Sequence, residues 1–170
     1  METLRQRFGG HEELRHARTV LGHARALGIS HEFSRWAWPL AARAAHDLAD
    51  ADAARELLAL LDGYQPGQLA PLQHAERDLA HVRLAAAHGG PDVCAAFAAA
   101  IAGQRERSTP YHLAQGLLDH AEYLLRAGED EAARAAIGEA RDIAHRLRCQ
   151  PLLDRAETIQ PGSLSVDHRQ

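Results

Sequence analysis

The sequence predicts an all-α protein built from helical hairpins, and three observations support this class. Apolar residues make up 46% of the 170 residues but aromatic residues only 5%, so the core must consist mainly of Ala and Leu. Alanine favours helices and lets their backbones approach closely. β-Branched residues are scarce and no stretch alternates with period two, which argues against a sheet. Gly and Pro interrupt the chain at fairly regular intervals, leaving segments of helical length.

Turn residues define the helices predicted for the first half of the chain. Gly28 ends the first helix and Gly63 follows the third, since glycine commonly occupies the position after a helix. Pro39 is expected to interrupt or kink the second helix. The stretch "YQPGQLAP" reads as a turn, and "GGPD" ends the fourth helix. The predicted helices cover residues 11–27, 31–48, 51–61 and 69–88.

Proline and hydroxyl residues define the helices of the second half. Pro91 suits the first turn of a helix that ends at about Arg107. Ser108 or Thr109 can then cap the next helix, with Pro110 at its first position. A last short helix follows Pro151. The predicted helices cover residues 91–107, 110–127, 130–147 and, through "LLDRAETI", residues 152–159.

The chain resembles itself when it is shifted by about 40 residues, which indicates about three stacked hairpins. The aligned positions of the second helices are spaced i, i+4, i+7 and share one helical face. A single hairpin cannot bury both of its faces, so stacked copies make physical sense. An ordinary bundle whose frequent alanines align by chance is the alternative. The aligned sets are Ala53, Val93, Ala133; Leu57, Phe97, Ile137; Leu60, Ala100, Ala140; and, in the first helices, Ala44, Leu84, Leu124.

The segment "LLDHAEYLLRAGEDEAARAAIGEARDIAHRL", residues 117–147, resembles a tetratricopeptide-type helix-turn-helix. Ala133, Ile137 and Ala140 match the small-large-small pattern of that family's second helix, and Ala121 stands at the small position of its first helix. The period departs from the family, being nearer forty than thirty-four, and the proline that usually ends the unit is absent. The resemblance implies an α–α superhelix with a concave groove lined by the first helices.

A longer stretch, "STPYHLAQGLLDHAEYLLRAGEDEAARAAIGEARDIAHRLRCQPLLDRAE", resembles the degenerate tetratricopeptide-like regions of large bacterial signalling ATPases. These include LuxR-type and maltose-activator-like transcription regulators and their cyclase-linked relatives. The likeness covers most of residues 11–158. In those proteins a nucleotide-binding module precedes the repeats, but G-x-x-x-x-G-K-[ST] is absent here and the chain has no Lys. We therefore expect either a fragment of a larger regulator or a shortened stand-alone relative.

The predicted organisation has three parts: an N-terminal extension over residues 1–10, a tetratricopeptide-like domain over 11–158, and a flexible C-terminal tail over 159–170. The first helix reads as the second half of a hairpin whose first half is missing. Such an uncapped end should expose apolar surface, so we expect self-association.

Charge and cysteine usage restrict the partners and the location. The net charge of −4 argues against direct nucleic-acid binding, which normally needs a basic excess. All 19 cationic residues are Arg, which together with abundant Ala is typical of a GC-rich genome such as an actinobacterial one. Cys94 and Cys149 lack C-x-x-C spacing, so a reducing cytoplasm is the simpler interpretation. No apolar stretch is long enough to span a bilayer, so we expect a cytoplasmic protein without membrane contact.

No pattern in the chain predicts catalysis, a cofactor or a metal site. His74, His81 and His88 recur every seven residues, which places their Cα atoms about 10 Å apart on a helix, too far to share one ion. The acidic stretch "HDLADAD" lacks the Gly and distal Glu of a calcium loop. Cys94 lies beside apolar positions, where a thiol is usually an inert filler. A helical metal protein that uses the histidines is the less favoured alternative.

The stretch "SRWAWPL" places Trp36 and Trp38 two residues apart, on different sides of a helix. Either one faces a groove while the other joins the core, or both pack inside.

We expect a non-catalytic interaction module of a bacterial regulatory system, which binds a protein or peptide segment in its concave groove. A small-molecule effector domain of a transcription regulator is the alternative. By the family's geometry, the groove residues are Arg35, Trp38, His46, Asp78, Gln115, Glu122 and Arg126.

Overall fold

Helices joined by short connections make up the chain over residues 2–90 and 92–159, which the computed structural model describes. Within these ranges the structure contains α-helices, a short 3-10 turn and no β-strand, so the predicted all-α class is confirmed. The chain divides into two compact units. Unit 1 spans Met1–Gly90 and unit 2 spans Pro91–Gln170.

The two units contain different sets of helices. In unit 1 these are α1 (Glu2–Leu21), α2 (Ala24–Leu27), α3 (Glu32–Asp47), α4 (Ala51–Asp62) and α5 (Pro71–Ala87), with the 3-10 turn at Pro66–Gln68. In unit 2 they are α6 (Val93–Arg107), α7 (Pro110–Arg126), α8 (Asp130–Leu147) and α9 (Gln150–Thr158). None of the helices within the described ranges is long and apolar enough to cross a bilayer.

Local capping explains where several helices begin and end. The Asp50 carboxylate accepts a hydrogen bond from the Ala53 backbone N–H at 2.9 Å and caps α4. The Thr109 hydroxyl accepts one from the His112 N–H at 3.4 Å, with Pro110 at the start of α7. Gly28 follows α2 with a φ of 94°, a left-handed backbone that disfavours other residues. The predicted cap at Thr109 is confirmed, whereas Gly28 ends the short α2 and not the first helix.

The core of unit 1 forms around α3, whose alanines let α1, α4 and α5 pack closely against it. Trp38 of α3 has no exposed surface, and its indole Nε1 donates a hydrogen bond to the Leu57 carbonyl oxygen of α4 at 2.8 Å. The buried Gln73 amide of α5 donates to the Ile29 carbonyl oxygen at 2.9 Å. These bonds satisfy buried polar groups and tie α4 and α5 to the α2–α3 region.

The core of unit 2 is the hairpin of α7 and α8, extended by α9. Leu118 and Ala121 of α7 share one buried cluster with Ile137 of α8 and Leu152 of α9. On the other side of α7, the ring of Phe97 in α6 stacks on His120 with centroids 5.0 Å apart and planes 12° from parallel. The other three helices of this unit thus pack against α7.

Helix α1 differs from the prediction at both of its ends. It starts at Glu2, so it includes most of the residues that we assigned to an N-terminal extension. It also stops at Leu21, and a turn at Gly22 and His23 separates it from α2. Glycine is a poor helix former, and the helix breaks at Gly22 but continues through Gly9 and Gly10. The predicted tail lies outside the described residues except for Ile159, which is buried in unit 2.

Helix α3 runs through Pro39 without interruption, so an interruption at this residue was the wrong expectation. A proline inside a helix removes one hydrogen bond and costs about 3 kcal/mol. Trp38 and Ala41, on either side of Pro39, are fully buried in the core of unit 1. Their tertiary packing holds the helix across the proline.

Candidate functional site

A cavity of about 150 Å³ lies within unit 1, where α3, α4 and α5 approach one another. Its wall is mainly apolar, and the fully buried indole of Trp38 forms part of it. The apolar wall consists of Trp38, Ala42 and Ala45 from α3, Ala54 from α4, and Ala80 and Leu84 from α5.

The spacing of alanines in the sequence creates this space. Ala42 and Ala45 follow Trp38 at i+4 and i+7, so they share its helical face. Ala80 takes the corresponding inward position on α5. Each methyl group is too short to fill the volume between three helices, whereas leucines at these positions would close it. The cavity follows from small residues at positions that face one another.

Charged side chains of both signs and a histidine border the cavity. Arg83 lies on its α5 side and is only 5% exposed. His46 lies at the end of α3 and is half-buried. The Asp50 carboxylate lines the same space while it caps α4. The site therefore combines a single apolar volume with charged and hydrogen-bonding groups next to it.

Only some of the predicted groove residues of unit 1 come together. Trp38 and His46 both line the cavity. Arg35 instead places its guanidinium carbon 5.5 Å from the centroid of the Trp36 ring. Asp78 lies 3.7 Å from Arg77 on α5 and does not line the cavity.

The predicted groove residues of unit 2 gather around one cation of α9. Arg155 donates hydrogen bonds to the Gln115 side-chain oxygen at 2.6 Å, to the Asp119 carboxylate at 2.6 Å and to the Glu122 carboxylate at 2.7 Å. The exposed Arg126 lies 3.8 Å from Glu122. Gln115 and Glu122 thus hold α9 against α7.

The His120 imidazole lies among aromatic side chains in unit 2. Its ring stacks on Phe97, whose ring also lies 5.4 Å from that of Tyr123. Its Nε2 atom is buried and has no hydrogen-bond partner among the described residues. Burial disfavours the charged imidazolium and lowers the pKa of His120 below its ordinary value of 6.5.

No group of three or more His, Cys, Asp or Glu side chains within residues 2–90 and 92–159 is arranged to hold a metal ion. Two of the evenly spaced histidines have separate neighbours. His81 lies 3.8 Å from Asp62, and His88 lies 2.9 Å from the Arg55 guanidinium. Cys94 is exposed, contrary to its expected role as a buried filler, because Val93 and Phe97 take the inward positions of α6.

Sequence reasoning missed three parts of this arrangement. Arg83 and Asp50 were not recognised as neighbours of Trp38, because helices distant in sequence bring them together. In the sequence, nothing distinguishes Arg155 from the other arginines expected on the surface. The sequence did contain one unused signal, the large apolar residues Phe33, Trp36 and Leu40 at i, i+3, i+7 on α3.

Comparisons with known proteins identify no relative of this chain. No protein-family model matches it, and searches of curated proteins and of solved structures gave no match.

Proposed function

We propose that this chain is a non-catalytic interaction module whose unit 1 binds an apolar side chain of a partner segment in the α3–α4–α5 cavity. The main support for this proposal is the size and the apolar wall of the cavity. An engineered apolar cavity of about 150 Å³ binds benzene, and the space between α3, α4 and α5 has about that volume and opens to the surface. A phenylalanine ring or a branched aliphatic side chain therefore matches its size, and burial would stabilise such a group by about 1.5–3 kcal/mol.

Polar groups beside the cavity favour a peptide as the source of this side chain. A bound segment must satisfy its own backbone N–H and C=O groups next to the apolar pocket. His46 and Arg83 can donate to backbone carbonyls, and Asp50 can accept from an N–H at the same rim. Recognition would combine one apolar anchor with a few directed hydrogen bonds, as binding sites usually do.

We also propose that the helices form tetratricopeptide-type hairpins of a bacterial regulator. The helix starts support this, since α3, α5 and α7 begin at Glu32, Pro71 and Pro110, which are 39 residues apart in each case. The aligned residues Ala53, Val93 and Ala133 are all buried, as a shared packing face requires. The free thiols Cys94 and Cys149 fit a reducing cytoplasm, and the arginine-only cation content fits a GC-rich, actinobacterial source.

Panning a phage-displayed library of twelve-residue peptides against the full chain tests the proposed function. Selected peptides should share an aromatic or branched aliphatic residue, and their binding should be lost in Ala54→Leu, which fills the cavity. Ala59→Leu, on the exposed side of the same helix, is the matched control and should bind normally. Peptides that bind Ala54→Leu as well as the wild type would refute the cavity as their site.

A small-molecule effector is the second candidate, favoured by the single-ring size of the cavity and the mixed charges at its rim. A thermal-shift screen of small aromatic and branched aliphatic compounds separates the two candidates. An increase in melting temperature that Ala54→Leu abolishes, together with no selected peptide, would favour the effector.

A further inference from the structure

The outer face of α3 carries three large apolar side chains that are open to solvent. Phe33 is 64% exposed, Leu40 48% and Trp36 44%. Their spacing of i, i+3, i+7 places them on one helical face, opposite the inward-facing Trp38. We refer to Phe33, Trp36 and Leu40 as the α3 stripe.

The composition of the α3 stripe is typical of an interface. Aromatic side chains, and tryptophan above all, supply much of the binding energy where proteins meet. The Arg35 guanidinium next to the Trp36 ring leaves much of the indole accessible. Scattered single apolar residues need no explanation, but three on one face form a contiguous patch.

Charges border the α3 stripe in a pattern that identifies its occupant. Glu32 stands in the first turn of α3, and Arg43 lies eleven residues later. Eleven residues are close to three full helical turns, so both side chains lie along the same edge of the stripe. Glu32 makes one end of the edge acidic, and the ion pair of Arg43 with Asp47 stands at the other end. Arg43 donates to both carboxylate oxygens of Asp47, at 2.9 and 2.5 Å. One guanidinium can be shared by two carboxylates, as Arg155 is between Asp119 and Glu122.

We propose that the α3 stripe pairs with the α3 stripe of a second copy of this chain, in antiparallel orientation about a two-fold axis. Such an axis brings equivalent edges face to face and reverses their direction. Glu32 of one copy then lies near Arg43 of the other, and the same ion pair forms twice. Phe33 of one copy packs against Leu40 of the other, with the two Trp36 rings at the centre.

A parallel pair would lack this complementarity. A two-fold axis that runs along the helices places equivalent edges on opposite sides of the seam, so Glu32 and Arg43 of one copy would not lie opposite the charged edge of the other. In the antiparallel arrangement, a single alignment of the two helices brings opposite charges together and packs the apolar side chains against each other. The stripe alone falls well short of the roughly 800 Å² per partner of a standard stable interface. A weak dimer that forms with rising concentration is therefore expected.

Sedimentation velocity of the full chain from about 1 µM to 1 mM tests the pairing, and these limits bracket weak dissociation constants. The wild type should shift from monomer to dimer. Trp36→Ala and Leu40→Ala should each raise the dissociation constant about tenfold or more. Tyr111→Ala and Leu147→Ala remove similarly exposed side chains from unit 2 and are the matched controls. They should leave the dissociation constant unchanged.

Charge exchange tests the register. Glu32→Arg alone and Arg43→Glu alone should each weaken self-association by about tenfold, because like charges then meet twice. Mixing the two variants should restore pairing, since every Arg then faces a Glu. Far-ultraviolet circular dichroism checks that each variant keeps its helices.

Three results would overturn the proposal. The first is a wild-type chain that stays monomeric at 1 mM. The second is a dimer that responds equally to the Leu40 and Leu147 substitutions. The third is a mixture of charge variants that associates no better than either variant alone. If the monomeric chain changed its tryptophan fluorescence only with phosphatidylglycerol vesicles, the stripe would face lipid, and the second copy would be the wrong occupant.

Discussion

The residues that we predicted to line a groove have different surroundings in unit 1 and in unit 2. In unit 2, Arg155 of α9 binds Gln115 and Glu122, so α9 occupies that face of α7. In unit 1, Trp38 and His46 border a cavity that no described side chain fills. The difference teaches that small side chains between packed helices leave space for a ligand in unit 1, whereas the Arg155 side chain occupies the corresponding polar face in unit 2.

The two tryptophans give the largest expected contrast within unit 1. Trp38→Ala should lower the free energy of unfolding by about 3–5 kcal/mol, because it removes a fully buried ring and the hydrogen bond to Leu57. Trp36→Ala should cost less than about 1 kcal/mol, because that ring is half exposed. Urea unfolding followed by circular dichroism measures both. Equal losses would contradict the placement of the two rings.

Removing the cation that joins α9 to α7 should destabilise unit 2. Arg155→Met should cost about 2–3 kcal/mol, because the carboxylate of the buried Asp119 loses its nearest positive charge. Arg126→Met is the control, since Arg126 is exposed and its distance to Glu122 is 3.8 Å. It should cost less than about 1 kcal/mol. A protein whose stability is unchanged by Arg155→Met would show that α9 does not depend on this contact.

Acidification should also weaken unit 2 through His120. Because burial lowers the pKa of this imidazole in the folded state, the unfolded chain binds the proton more readily. The stability contributed by neutral His120 is therefore present above pH 6.5 and decreases as the pH falls below that value. Melting curves at pH 7.5 and 5.0 should differ more for the wild type than for His120→Phe. The exposed His145→Gln is the control and should keep the wild-type difference.

Filling the cavity should have the smallest effect on stability. Ala54→Leu adds apolar volume to existing space, so the free energy of unfolding should change by less than about 1 kcal/mol in either direction. Thermal unfolding gives this value, with Ala59→Leu as the exposed control on α4. A loss of several kcal/mol would mean that the site has no room for a larger side chain.

Helix bounds were predictable from the sequence because they depend on local residues. Gly28, Thr109 and Pro110 act through their own backbone geometry or hydrogen bonds, and each predicted boundary lies within a few residues of the observed one. Only α1 departs strongly, since its first turns follow no capping signal. Pro39 misled the prediction because tertiary packing, which a local pattern does not contain, outweighs its cost.

The candidate site was only partly predictable. Trp38 and His46 were chosen from the family's geometry, and a frame error of one residue would have rotated them by about 100°. Their neighbour Arg83 lies on a different helix, and no spacing in the sequence links it to α3. The cavity is also unfilled volume between helices, and its size depends on how closely the backbones of α3, α4 and α5 approach one another. Arg155 was missed for the same reason, since its partners lie more than thirty residues away.

Methyl NMR of the chain labelled with ¹³C at alanine methyl groups tests the central claim most directly, with toluene as a stand-in for a phenylalanine side chain. If the α3–α4–α5 cavity is a binding site, the methyl signals of Ala42, Ala45, Ala54 and Ala80 should shift with saturable dependence on toluene. Those of Ala114 and Ala121 in unit 2 should stay in place, and Ala54→Leu should abolish the shifts. Spectra without shifts at the cavity alanines, or with equal shifts in unit 2, would contradict the account.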